Sequence, residues 1–330
     1  MKNRISRIVV LLLVAVLLVP TVLTGCKKKE ADFPGSSPIT IIVPWSAGGS
    51  VDMVARVIAP RLTDKLGTVV NVENQAGGQS IPGTVEVLQS TPDGHTLLSD
   101  ADGSNCVPEA WGSDVPFKVE ERTYICRITI LPMVFAVAQD TGWTSIDDVA
   151  EAIKNNPEDV KFGWLGGTGG IDCPTAQFLA ELNARGIDTS KINMVTFPGG
   201  SDLATAVAGG HVDIGSCSPT SVKSAFDAGL VDIISITSAE RFPKHPDVAT
   251  TREQGWDAVN YVGHVGLSGP VGMSDDVVKT ISDLVAEIVK MDDVIAELEG
   301  LGLLVEYLGP DAYKANVLEL AEILKKVKVA

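Results

Sequence analysis

The chain has 330 residues, of which 26 are Lys or Arg and 42 are Asp or Glu, for a formal net charge of −16. That balance argues against nucleic acid and anionic lipid headgroups as partners, because neutralising phosphates takes clustered Lys and Arg. A small anionic ligand would meet an opposing overall field, so a site for one has to act at short range through oriented amides and hydroxyls.

The N-terminus carries Lys2, Arg4 and Arg7, then an apolar run over 8–23, then Leu23, Thr24, Gly25 and Cys26. A charged region, an apolar region and a small-residue cleavage site in that order predict a signal peptide over 1–25. The cysteine directly after the cut marks a bacterial lipoprotein: Cys26 becomes the acylated N-terminus and 26–37 the lipidated residue and tether. The apolar run is shorter than the roughly 20 residues a membrane span needs, and it contains Pro20. The mature chain is then extracytoplasmic and membrane-anchored.

Cleavage removes three positive charges and leaves about 305 residues, enough for two domains. Cys106, Cys126, Cys173 and Cys217 remain, and in an exported protein they allow two disulfides in three pairings. Cys106 with Cys126 is the favoured bridge, since both flank a stretch without periodicity. Cys173 and Cys217 read as small buried residues.

The first regular segment, Ile39–Val43, has the composition of a buried strand, and Val51, Val54, Ala55 and Ile58 then recur at helical spacing. Ala47, Gly48, Gly49 and Ser50 separate the two. Strands follow at 69–73, 95–99, 124–130, 160–165, 193–197, 212–216 and 232–237, with helical patterns at 146–156, 174–184, 202–208 and 222–228. Residues 274–329 are nearly all helical in pattern, broken at 300–309. Such alternation predicts an α/β fold with parallel sheets covered on both faces. One sheet would hold too many strands, so two lobes are expected: 38–131 with 269–330, and 132–268. The extended apolar segments 132–139 and 261–268 are the expected hinge crossings.

Three strand-to-helix turns share a chemistry. Ala47 to Asp52, Gly166 to Asp172 and Pro198 to Asp202 each offer glycine amides, a hydroxyl at Ser50, Thr168 or Ser201, and an acid that caps the helix or orients the loop. Glycines allow close main-chain approach, and a helix N-terminus adds unpaired donors and a partial positive charge, which suits a carboxylate. Trp45 is placed either to wall a ligand or to pack in the core. His95, His211, His245 and His264 are dispersed and no CxxC occurs, so no metal site or cofactor is expected. The G-x-S-x-G elbow, Walker A and dinucleotide fingerprints are missing, so nothing supports an enzyme.

The strings ITIIVPWSAGGSVDMVARVIAPRLTDKLG, VVNVENQAGGQSIPG and TPDGHTLL, followed by FPGGSDLATAVAGGHVDIG, ITSAERFPKHPDVATTREQGW and VGLSGPVGMS, occur in one order along nearly all of the mature chain. In this the chain resembles the tripartite tricarboxylate transporter substrate-binding proteins, also called Bug proteins. The resemblance implies a periplasmic-binding-protein, or Venus-flytrap, fold whose lobes close on a small organic anion and present it to membrane permease subunits.

By motif position the resemblance carries over Ala47, Gly48, Gly49, Ser50 and Asp52 for the first loop. Gly167, Thr168 and Gly169 correspond to the second loop, Pro198, Gly199 and Gly200 to the third, and Asp213 to the GGHVDIG motif. Trp45 stands where Phe or Tyr is usual, and the region 99–121 departs most from the pattern. A monomeric, lipid-anchored, non-catalytic carboxylate receptor is expected. The rivals are a ligand sensor for a two-component kinase and an enzyme on the same scaffold.

Overall fold

The computed structural model describes residues 33–112, 115–167, 169–197, 199–242 and 245–327; the signal peptide, Cys26, Thr168 and Pro198 lie outside the described residues. Ile39–Val43 forms strand β1, with Ile39, Ile41, Ile42 and Val43 all buried. Both of its faces are covered, which explains a continuous apolar run rather than an alternating one. Val70–Asn74 (β2) and Thr96–Ala101 (β3) pair with it in parallel on either side. Helix α1, Ser50–Leu66, lays Val54, Ala55, Ile58 and Leu62 on this sheet and stops at Gly67. Gly67 takes φ 68° and donates its N–H to the Thr63 carbonyl at 2.9 Å, a left-handed cap that favours glycine.

After Ile81–Leu88 (α2) and Cys106–Trp111 (α3), the chain runs through Thr123–Pro132 (β4) and, with only Met133 between, into Val134–Ala138 (β5). Next come Ile146–Asn155 (α4), Lys161–Trp164 (β6), Asp172–Ala184 (α5), Asn193–Thr196 (β7) and Gly200–Ala208 (α6). Ile214–Cys217 (β8), Pro219–Asp227 (α7) and Val231–Ile236 (β9) complete this middle part. The chain ends with Val262–Gly269 (β10), Asp275–Ile288 (α8), Asp292–Gly300 (α9), Leu304–Leu308 (β11) and Pro310–Lys326 (α10). The helical pattern of the last part is thus interrupted by one strand.

Two sheets result, a six-stranded one in the order β11-β4-β10-β3-β1-β2 and a five-stranded one in the order β7-β6-β8-β5-β9. Both are mixed rather than parallel as expected. β10 runs antiparallel to β3 and β4, and β5 runs antiparallel to β8 and β9. Each of these strands enters its sheet from the other one, at the end where the neighbouring strands finish, and so runs against them. At the transfer point Thr237 donates its N–H to the Met133 carbonyl, and Met133 donates its N–H to the Thr237 hydroxyl, both at 2.9 Å. Residues 261–268, read as a crossing, lie mostly within β10.

Residues of α8 and α10, including Ile281, Val285, Val317 and Leu324, share the core of the first sheet with α1. Phe135, Phe162, Phe178 and Trp256 cluster on one face of the second sheet, and Leu203, Val207 and Val222 on the other. The four described cysteines are free and buried, so the expected Cys106 to Cys126 bridge is absent. Cys106 instead opens α3 with its thiol 3.8 Å from the Asp102 carbonyl, and Cys126 sits within β4 facing β10.

Candidate functional site

A cavity of about 370 Å³ lies between the two sheets, where strand ends turn into helices. Gly49 and Ser50 bring the N-terminus of α1 to it; Gly169, Gly170 and Ile171 bring α5; Gly199, Gly200 and Ser201 bring α6; Ser218 and Ser221 bring α7. A helix N-terminus carries a partial positive charge, so four of them around one cavity favour an anion; at α5 and α7 most first-turn amides are already bonded to the preceding loop. Among the described lining residues there is no Lys or Arg. Trp45 supplies an aromatic wall, packed so closely on Gly103 that a Cβ there would lie 2.7 Å from the indole ring.

The acids of the first two loops are spent on their own backbones. Asp52 is buried and accepts the Gly48 N–H at 2.8 Å, with Arg56 Nε at 3.0 Å and Asn74 Nδ2 at 2.9 Å. Asp172 accepts the Leu165 N–H at 2.7 Å and the Gly167 N–H at 2.8 Å. These bonds hold the glycine turns in shape and remove Gly48 and Gly167 from the donors that face a ligand. A hydroxyl contact of 2.8 Å between Ser50 and Thr220 ties the start of α1 to the start of α7.

Burial alone would raise the pKa of Asp52, but hydrogen bonds from Arg56, Gly48 and Asn74 outweigh it and leave the group below the ordinary value of 3.8. A carboxyl depressed in the folded state contributes stability that is complete above the unfolded value and is lost as pH falls through the folded one. Acid denaturation of an Asp52→Asn variant should therefore show a shallower loss of stability below about pH 4 than the parent chain, with lower stability at neutral pH. Equal slopes for the two would remove Asp52 from the acid transition.

The cavity floor is a polar chain. His264 on β10 sets Nδ1 2.5 Å from Asp102 Oδ1, and its own N–H reaches Asp102 Oδ2 at 3.2 Å. Tyr261 donates its hydroxyl to the same carboxylate. Burial, reinforced by the charge of Asp102, pushes the Tyr261 phenol well above its ordinary range, so it remains a donor. Asn105 Nδ2 lies 3.1 Å from His264 Nε2, which makes Nε2 the acceptor. Asn105 also reaches Asp100 Oδ1 at 3.3 Å, and Asp100 pairs with Arg122 at 3.1 Å, both side chains fully buried.

Of the residues singled out from sequence, Trp45, Ala47, Gly49, Ser50, Gly169, Gly199 and Gly200 line the cavity. Gly48 and Asp52 stand behind it as loop supports. Gly167 lines a neighbouring cavity beside Trp111, and Asp213 lies elsewhere, accepting the Lys161 N–H at 2.7 Å at the start of β6. Sequence reasoning missed Asp102, Gly103, Met133, Ser218, Ser221 and His264 as lining residues. The available signal was positional: Asp102 directly follows β3, and ligands of open α/β sheets sit beyond strand carboxyl ends.

Two lobes facing a cavity built from helix N-termini define a solute-binding protein of the periplasmic type. The chain matches the family model described as tripartite tricarboxylate transporter family receptor over residues 54–325, and it belongs to that family. It is 29% identical over 283 residues to the UPF0065 protein in the tcbD-tcbE intergenic region of Pseudomonas sp. (strain P51), covering 85% of this chain and 81% of that one. Its fold is similar to that of MatC from Rhodopseudomonas palustris with bound malate, at TM-score 0.79 and 24% identity, covering 89% and 99% of the two chains. It is likewise similar to R. palustris Rpa4515 with adipate, at TM-score 0.80 and 22% identity, covering 90% and 97%. Family and fold are those of solute-binding proteins rather than enzymes.

Proposed function

We propose that the chain is an extracytoplasmic receptor that captures a small organic carboxylate between two lobes, one built on each sheet, and delivers it to tripartite transporter permease subunits. The observation that carries this reading is the convergence of four helix N-termini on one cavity with no cationic side chain in its described wall. Amide and hydroxyl donors then hold the carboxylate, each bond contributing about 1 kcal/mol net and somewhat more to a charged acceptor. A volume of about 370 Å³ is in the range of small-molecule sites. Malate and adipate in the two fold neighbours are carboxylates of suitable size. Lipidation at Cys26 would hold the receptor at the membrane that contains the permease.

Gly49 offers a clean test. It has φ −77°, which any residue adopts, and an added Cβ would meet only the Ser46 carbonyl at 3.6 Å. Gly49→Val should leave the unliganded melting temperature essentially unchanged while its side chain intrudes at the α1 jaw and weakens carboxylate binding by about tenfold or more. Thermal-shift screening of C4 to C6 di- and tricarboxylates, then calorimetry, measures this, since a ligand of the native state alone raises its melting temperature. A parent chain that no carboxylate stabilises, or a Gly49→Val chain that binds as the parent does, would overturn the reading.

A further inference from the structure

The three glycine loops differ in what becomes of their acid. Asp52 takes the amide of the residue four before it, Gly48, and Asp172 takes the amides of Leu165 and Gly167. In the third loop the residue four before Asp202 is Pro198, which has no N–H to donate. Asp202 has no hydrogen bond or ion pair with any described residue, and it lines the cavity. The other lining carboxylate, Asp102, already has the Tyr261 hydroxyl and the His264 backbone N–H as donors.

The jaws are therefore unequal. At α1 and α5 the acids are folded back onto the loops, and each helix end faces the cavity with its partial positive charge. At α6 an uncommitted carboxylate offsets the partial positive charge of the helix end and repels a second anion. We propose that Asp202 selects a carboxylate ligand that also carries a hydrogen-bond donor, an ammonium or a hydroxyl, and rejects one that sets another carboxylate against α6. The inference rests on the carboxylate reading above and adds the polarity of the ligand's other end.

The test uses matched series of equal chain length: an unsubstituted carboxylate, its hydroxylated form and its aminated form, each titrated calorimetrically into the parent chain and into Asp202→Ala. Asp202 is exposed, so its replacement should leave the unliganded melting temperature unchanged. In the parent chain, one donor-bearing member should bind at least about tenfold more tightly than the unsubstituted one, and in Asp202→Ala that ratio should collapse. Preference for the aminated member identifies an ammonium, and preference for the hydroxylated member a hydroxyl. Equal affinities across the series, or a ratio that survives in Asp202→Ala, overturns the role of Asp202 while leaving carboxylate binding intact. Failure of every member to bind overturns the carboxylate reading and this inference with it.

Discussion

Replacing Arg122 with methionine is expected to lower the unfolding free energy by about 3–5 kcal/mol, the usual cost of stranding one charge of a buried pair. Arg122 and Asp100 are both fully buried, and a single guanidinium nitrogen spans the two carboxylate oxygens at 3.1 and 3.2 Å. Among the described residues Asp100 would keep the Ser104 hydroxyl at 2.8 Å and the Asn105 amide at 3.3 Å, neutral donors that offset part of its desolvation. The cation also lies 5.4 Å from the Phe117 ring centroid, a contact methionine replaces only in part. Urea unfolding measures the change. Adding Asp100→Asn to the methionine variant should restore a good part of the loss, because the stranded charge is gone. A double variant no more stable than the single one would show that the pair is not the source.

The second large effect is expected at Asp102. Its carboxylate receives the Tyr261 hydroxyl and the His264 backbone N–H, and the His264 ring lies against it with Nδ1 2.5 Å from Oδ1, all buried. Asp102→Ala leaves those donors without an acceptor, at about 1–3 kcal/mol for each one that water does not reach, so a loss near 3 kcal/mol is expected. The His264 ring packs against that carboxylate, so nitrogen NMR of the imidazole should show its shifts change when the carboxylate is removed. Asp102→Asn, which retains a carbonyl acceptor, should restore much of the stability. Unchanged imidazole shifts in Asp102→Ala would mean that the carboxylate does not position the ring. Since Asp102 and His264 form the cavity floor, binding should weaken in the alanine variant as well.

The elements were legible wherever local chemistry decides them. The continuous apolar run of Ile39–Val43 marks a strand buried on both faces, and the glycines after it mark a turn into α1. The cavity walls from these turns were legible for the same reason, since Trp45, Gly49, Ser50, Gly169, Gly199 and Gly200 belong to contiguous loops. The floor was not. Asp102 and His264 are 162 residues apart and meet only because β10 is inserted beside β3, a register that no local pattern records. The loop acids were read as helix starters or loop orienters, and Asp52 and Asp172 act in that way. Their cost was not foreseen: each removes amides that the glycine pattern alone offers to a ligand. The mixed sheets escaped for a related reason, because strand direction follows from where the chain changes sheets.

That β10 sits between β3 and β4 also bears on how the molecule comes to be folded. β4 leaves the first sheet at Pro132 before its neighbour has been made, and β10 arrives only from Val262 as the strand that joins β3 and β4. Until then β3 and β4 have unsatisfied backbone edges, whereas all five strands of the second sheet fall within the contiguous stretch 134–236. Loop-closure entropy makes the contiguous sheet the faster to assemble and the first sheet the slower, with its completion waiting on the last third of the chain. Truncation before β10 would leave paired fragments with open edges, the arrangement most prone to pairing with another chain.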